Sequence, residues 1–561
     1  MIRSRPVIGA IGNGLTRLQG GMRDAHLRHM LSLPFTLPFT LRRFFRDRLD
    51  PAAAPAVLKE ALRTREQRFL DLTRTRIYAE PDSPYAKLFQ YAGCTVDDLD
   101  ASLSRDGLDA TLAKLARAGV YLTPNEFKGK TDVHRGSLRF RLRAERLAPR
   151  HEREAPASFV TQSSGSNNRP VRAVTSLAWQ VAESPAMAVF LAAHGLLSHR
   201  HAVYEPMLAG VAAGIQAAIM VARLGIPIER WFARPVPVQN WLEGAYFWAT
   251  AQELALAGTW FGPGFARPEV VPADGLERIV RWVEHCRHEN QPACIRTVAS
   301  NAARIARTAI AIGASLAGCT FIASGEPMTT AKRRAITEAG AAVAVAWGYE
   351  PGPVWVGFGC ANPAHGDEMH ILRHTLAVIQ QPIAEAVDEE SQPLLFTTLY
   401  PSAARLQINV SNGDRATLFE RDCGCALQRV GLNLHVHGVG SFEKLTSEGL
   451  AYSYDALFEL LETTLPDAFG GGAGDYQIVE EESASGQTFL TLLVDPTVGP
   501  VDDARLLARL AAELCKGSPR NRFMTSVWQD AGTLRVRRAP PIVSARGKVL
   551  PLRVARQERT A

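Results

Sequence analysis

The chain has 561 residues, 46% of them apolar and 21% charged, which excludes a disordered chain and exceeds what one hydrophobic core sustains, so at least two domains are expected. A net charge of +7 spread over that length suits anionic small molecules such as nucleotides and is too dilute to predict nucleic-acid binding. Eight cysteines do not make a disulfide scaffold, and without a clear signal peptide the expectation is reduced thiols in a cytoplasmic protein.

The N-terminal segment carries Arg3, Arg5, Arg17 and Arg23 with no acid before Asp24, and reads as a basic tail rather than a transit peptide. LPFTLPFTLRRFFRDRL (33–49) mixes Phe with Arg. A helix capping the next domain is expected there, with peripheral contact to a membrane surface as the alternative. Between 50 and 120, AAPAVLKEALRTREQRFLDLTRTRIYA and GLDATLAKLARAGV repeat apolar groups at three- and four-residue steps, which predicts helices. Residues 121–157 are polar and basic and read as a connector. From Phe159 to about Gly359 short apolar strands alternate with Ala-rich helices: ACIRTVAS, NAARIARTAIAIGA, CTFIASG, TTAKRRAITEAG, AAVAVAW. That alternation predicts an α/β layered architecture. The apolar run MLAGVAAGIQAAIMVA from Met207 contains Gln216 and stops at Arg223, so it reads as a buried helix and not a bilayer span.

Beyond Gly438 the texture changes. LFELLETTLPDAF and DDARLLARLAAELC predict helices, and YQIVEEE, TFLTLLVDP and TLRVRRAPPIV predict strands. The expected division is a helical N-terminal extension (1–150), an α/β core (151–437) and a small α+β domain (438–561).

Five stretches carry candidate chemistry. TQSSGSNNRP (161–170) offers hydroxyls at Ser163, Ser164 and Ser166, a close backbone approach at Gly165, and charge at Arg169, a composition suited to an anion nest. It lacks the Walker pattern. FIASGEPMTTAKRRAITEAG runs a strand into Gly325, Glu326 and Pro327 and then a capped helix, placing a tight turn at the edge where α/β sheets bind ligands. AVAWGYEPGPV ends a strand at Trp347, Gly348, Tyr349 and Glu350; an aromatic can stack on adenine and a carboxylate can hold Mg²⁺ beside phosphates. VSNGDRATL contains a Gly-Asp turn whose Asp414 can accept from ribose hydroxyls, and APPIVSARGKVLPL places Lys548 after a Gly near the C-terminus.

In this order the five stretches resemble those of the adenylate-forming (ANL) superfamily, and most nearly its phenylacetate–coenzyme A ligase-like branch. SSGSNNRP is similar to that family's phosphate loop, SGEPMTTAKRRAI to its SGEP segment, YEPGPVWVGFGC to the segment ending in a Cys, NGD to its TGD, and SARGKVLPL to its terminal Gly-Lys motif. The resemblance implies a large adenylating α/β domain, a mobile C-terminal lid, and two half-reactions. A carboxylic acid would attack ATP to give an acyl-adenylate and pyrophosphate. A thiol, most commonly coenzyme A, would then take the acyl group, with a carrier-protein thiol, an amine or the chain's own Cys515 as alternatives. It further implies that Ser163, Ser164, Gly165 and Ser166 cradle phosphates, Glu350 binds Mg²⁺, Asp414 holds the ribose, Arg429 stands for the family's Arg beyond that turn, and Lys548 contacts carboxylate and α-phosphate oxygens. Three departures stand out. Asn167-Asn168-Arg169 replaces Thr-Gly-Lys, Tyr349 precedes Glu350 where Ser or Thr is usual, and Asn409 and Ser411 occupy the stretch where an Arg precedes the Gly-Asp turn.

Cys360, His370, Cys423 and Cys425 have the residue types of a tetrahedral zinc site, with His365 as the alternative fourth ligand and four unliganded side chains as the alternative to a metal. A zinc-stabilised, non-catalytic binding protein of the same fold is the reading from another functional class. His285, Cys286 and His288 read as a helix face, and most aromatic residues of 230–264 as core.

Overall fold

Apolar runs too short for helices form one ten-stranded sheet. In chain order its strands are β1 (Arg200–Pro206), β2 (Ile228–Arg234), β3 (Pro268–Val270), β4 (Ala293–Val298), β5 (Cys319–Ser324), β6 (Ala342–Tyr349), β7 (Val354–Gly359), β8 (Met369–Ile371), β9 (Asp414–Glu420) and β10 (Leu434–Ser441). The computed structural model describes residues 41–554 apart from 81, 130, 144–146, 148–157, 164–170, 207–212, 235–240, 350–353, 383–392, 404, 442–443, 446–451, 454–456, 458, 473, 484–486, 517–518 and 543–551. The spatial order is β9-β10-β8-β7-β6-β5-β4-β1-β2-β3. β1 to β6 are parallel, and β7, β8, β10 and β9 add on antiparallel.

The parallel strands therefore wind outward both ways from the junction of β1 with β4, and right-handed crossovers place helices on both faces. Helices α1 (Leu177–Ala193) and α2 (Ala213–Arg223) share one core with Val203, Trp231, Cys294 and Ile322. Helices α3 (Glu277–His288), α4 (Ala299–Ala311) and α5 (Thr330–Glu338) share a second core on the opposite face with Phe232, Ile295 and Phe321. In α4 the buried residues Ala302, Ile305, Ala306 and Ala309 recur at helical spacing, the period that the alternating texture foretold. Full burial of a side chain such as Ile305 stabilises by about 2–3 kcal/mol.

In the stretch with alternating Phe and Arg, residues 41–46 are helical and Leu41, Phe44 and Phe45 are buried in the α1–α2 core, so these phenylalanines serve as a packing face. Helices Arg65–Thr73, Pro84–Tyr91 and Val96–Arg117 pack on a three-stranded sheet made of Leu376–Gln380, Leu394–Thr398 and Val410–Ser411. The expected connector is in part a folded unit. Strands Val133–Arg135 and Leu138–Phe140 form a hairpin, and Arg135 is buried. Its guanidinium pairs with Glu126 at 2.7 Å, donates to the carbonyls of Gly119 and Tyr121, and lies over the Tyr121 ring. Arg135 can be buried because Glu126 and two carbonyls satisfy its charge, which composition alone does not reveal.

At the C-terminal end β11 (Tyr476–Glu482), β12 (Thr488–Val494), β13 (Leu534–Arg538) and β14 (Leu552–Val554) form a separate sheet in the order β13-β12-β11-β14. Helix α7 (Asp503–Leu514), capped by the Asp502 carboxylate, and helix α8 (Pro519–Asp530) lie with it, and Leu506, Leu510, Leu514 and Trp528 complete its core. The α/β class with a small α+β unit is thus observed. No helix among the described residues is long and apolar enough to cross a membrane.

Candidate active site and Cys3His centre

The register of β5 with β6 pairs Ala323 with Val345, which brings the turn at Gly325 and Glu326 beside Trp347 and Gly348 at one sheet edge. Gly325 has φ +82°, so a side chain there would be strained and the strand can turn sharply into α5. Thr329 caps α5 by accepting from the Lys332 amide at 3.2 Å, and its hydroxyl donates to Glu482 of β11. Trp347 is buried edge-on against Phe396, and the pairing of β6 with β7 slips by one residue between Trp347 and Gly348. Tyr349 closes β6.

Glu326 has a role that its motif did not suggest. Its carboxylate accepts from the Ser300 amide at 2.6 Å, the Ser300 hydroxyl at 2.8 Å and Lys332 Nζ at 2.8 Å, and the ion pair is almost fully buried. It ties the start of α4 to α5 and holds the turn in place. Glu326→Gln removes the charge opposite a buried ammonium and is expected to lower unfolding stability by about 3 kcal/mol. Urea denaturation checks this, and an unchanged midpoint would contradict it.

In the chain, the phosphate-loop candidate lies between two paired antiparallel strands. Strands Ser158–Ser163 and Val171–Ser176 pair from Ser158 with Ser176 up to Ser163 with Val171, and the second strand leads directly into α1. Ser164, Gly165, Ser166 and Arg169 lie outside the described residues, as do Glu350 and Lys548. The segment that carries Lys548 leaves from Ile542, which exchanges two hydrogen bonds with the Gln477 side chain. It returns at Leu552, which pairs with Ile478, so both of its ends are fixed at the start of β11.

Asp414 opens β9 at the antiparallel edge of the sheet. Its amide donates to Asn412 Oδ1 at 2.8 Å and its carboxylate accepts from Asn412 Nδ2 at 2.6 Å, a closed Asx turn around Gly413 at φ +82°. Asn409, which stands near where the resembled family has an Arg, is buried at φ +49° and donates to the carbonyls of Leu112 and Val120. That residue ties the N-terminal helices to the sheet. Arg429 is exposed and donates to the Gly424 carbonyl at 2.5 Å, bracing the turn between Cys423 and Cys425.

The Cys/His group is assembled from three places in the chain. Cys360 follows β7, His370 sits in β8, and Cys423 and Cys425 flank Gly424 ahead of α6 (Ala426–Arg429). Their four ligand atoms lie within 4.8 Å of one another. Gly424 at φ +72° permits the tight knuckle. His370 Nδ1 lies 2.6 Å from the Leu432 carbonyl oxygen, which fixes the proton on Nδ1 and turns the bare Nε2 toward the sulfurs, 3.1 Å from Cys425 Sγ and 3.6 Å from Cys423 Sγ. The Cys425 amide donates to Cys423 Sγ at 3.5 Å. Hydrogen bonding from the Cys360 thiol pulls the Cys425 thiol well below its ordinary value, and the same contact pushes the Cys360 thiol up.

A bare imidazole nitrogen and three cysteine sulfurs gathered within 4.8 Å of one another have the chemistry of a zinc donor set. His370, not His365, completes the set; His365 is exposed and stacks on His437 at 3.9 Å. Behind the donors, Glu368 accepts from Arg421 Nε at 2.9 Å and from the Ala364 amide at 2.6 Å, and lies 2.7 Å from His435. These supporting residues were not foreseen from the sequence; the alternation in LHVHG was the signal, since it puts His435 and His437 on one face.

Neither a family model nor a curated protein matches the sequence. Solved structures do. A 2-hydroxyisobutyryl-CoA ligase in complex with 2-HIB-AMP and CoA superposes with TM-score 0.52 at 16% identity, covering 91% of this chain and 92% of that chain. An amide bond synthetase from Marinactinospora thermotolerans has TM-score 0.40 at 10% identity, covering 87% and 93%. An o-succinylbenzoate CoA synthetase from Bacillus subtilis has TM-score 0.40 at 10% identity, covering 70% and 68%. Over nine tenths of both chains, this protein has the fold of the 2-hydroxyisobutyryl-CoA ligase.

Proposed function

We propose that the chain is an adenylate-forming ligase that activates a carboxylic acid with MgATP and passes the acyl group to a thiol, coenzyme A being the acceptor favoured by its resemblance to the phenylacetate–coenzyme A ligase-like branch. The observation that carries this reading is the coincidence of motif and fold. The SGEP turn and the end of β6 meet at one sheet edge, within a fold shared with a ligase that holds 2-HIB-AMP and CoA. In the first step a carboxylate oxygen attacks the α-phosphorus and pyrophosphate leaves. In the second a thiolate attacks the acyl carbonyl and AMP leaves. Charge builds on phosphate oxygens in the first step, where Lys548 and a Mg²⁺ held by Glu350 would stabilise it. The Cys3His centre takes no part in either step; its donors serve the fold.

Two experiments bear on this reading. Incubation with MgATP, acid and coenzyme A should give acyl-CoA, and replacing coenzyme A with hydroxylamine should give the hydroxamate of the same acid. Hydroxamate without thioester would remove coenzyme A as acceptor and leave acid activation standing. Ser164→Ala with Ser166→Ala should weaken MgATP by about 1–3 kcal/mol, the usual loss for hydrogen bonds to a charged partner, with the fold unchanged. Unaltered MgATP affinity would remove residues 161–170 as the phosphate-binding stretch.

A further inference from the structure

The strand order switches between β1 and β4, and in doubly wound sheets ligands bind beyond the carboxyl ends of the two strands at such a switch. One side chain at this junction has no structural explanation. Arg296, in the middle of β4, pairs across the junction with Val203 of β1 and is 2% exposed. Its Nη2 lies 3.3 Å from Met187 Sδ of α1, and its Nε has no acceptor. No carboxylate pairs with it among the described residues.

The neighbours on its face supply no countercharge. His201 is held neutral, pushed down to about 3 by burial and then by the Arg296 charge. Cys294 is pushed up to about 12 by burial. Glu205, at the end of β1, is pushed up to about 8 by burial, and the cation acting on it is Arg234. Arg296 itself, though lowered to about 10 by burial, stays charged at neutral pH. A buried guanidinium without an anion costs several kcal/mol, which a purely structural residue would not sustain. Met or Leu would fill the same volume at no such cost.

We propose that Arg296 is the receptor for a second carboxylate on the acid substrate, so that the enzyme activates short dicarboxylic acids. This rests on the adenylating reading, which puts the reacting carboxylate at the Gly325 edge. Arg296 pairs with Ile322, two residues before Ser324, so its Cα lies roughly 7 Å below that edge, within the reach of a short dicarboxylic acid. The guanidinium fork can hold a carboxylate through two parallel hydrogen bonds, and the apolar walls of Met187 and Ile322 strengthen that pairing.

The test is pyrophosphate release at saturating MgATP with succinate, glutarate and adipate against butyrate, pentanoate and hexanoate, for wild type and Arg296→Met. Wild type should favour the diacids by about 100-fold in kcat/KM, and Arg296→Met should reverse that preference with the KM for MgATP unchanged. A wild type that prefers monoacids, or a variant that loses both classes equally, overturns the proposal while leaving adenylation intact. Release with no acid at all would remove the adenylating reading. Calorimetric titration with glutarate, beside the α,β-methylene analogue of MgATP, then decides on Arg296 separately. Binding of glutarate but not pentanoate to wild type sustains the receptor, and no glutarate binding overturns it.

Discussion

Lys548→Ala is expected to slow acyl-adenylate formation by about 10²–10³-fold, the effect of removing a preorganised charge worth about 3–4 kcal/mol from a transition state. Thioester formation from supplied acyl-AMP should stay largely intact, because by then the α-phosphate has already been attacked and the developing charge lies on the leaving AMP. The split between half-reactions distinguishes this role from a structural one. Both ends of the segment are fixed on β11, through Gln477 to Ile542 and through Ile478 to Leu552, so truncating the Lys548 side chain leaves those anchors in place. Single-turnover measurement of each half-reaction reads the outcome directly. Equal losses in both would reject the assignment.

Cys423→Ser with Cys425→Ser should have the largest effect on stability. Elemental analysis of the wild type should find about one zinc per chain, and the double variant should find none. One ion would join four donors drawn from the end of β7, from β8 and from the knuckle before α6, so its loss would release three chain segments together. Structural zinc contributes on the order of 10 kcal/mol to folding in small domains. In a chain this large a shift on the order of 10 °C in the thermal midpoint is expected. Wild-type protein without metal, or a double variant with an unchanged midpoint, would contradict the site.

The strand–helix alternation was legible because β4, β5 and β6 are short, mostly apolar runs and α4 between them carries its buried residues at helical spacing. The Cys/His group was legible from residue type, with His370 ahead of His365, while the contact of His370 Nδ1 with the Leu432 carbonyl that orients the ring depends on the fold. Residues 121–157 were misread because burial of Arg135 depends on Glu126, whose partnership is fixed by the fold. Glu326 belongs to the same kind: SGEP marks a turn at the sheet edge, while the carboxylate itself is held by Ser300 and Lys332. Arg296 had a signal that went unused. In ACIRTV a single charge interrupts an apolar strand, and strand alternation sets it on the same face as Cys294.

Carboxylate-dependent exchange of labelled pyrophosphate into ATP measures acyl-adenylate formation without regard to the acceptor. With a panel of mono- and dicarboxylic acids, at least one acid should drive exchange that requires Mg²⁺ and is lost in Lys548→Ala. No exchange above background with any acid, from folded protein, would contradict acyl-adenylate formation by this chain.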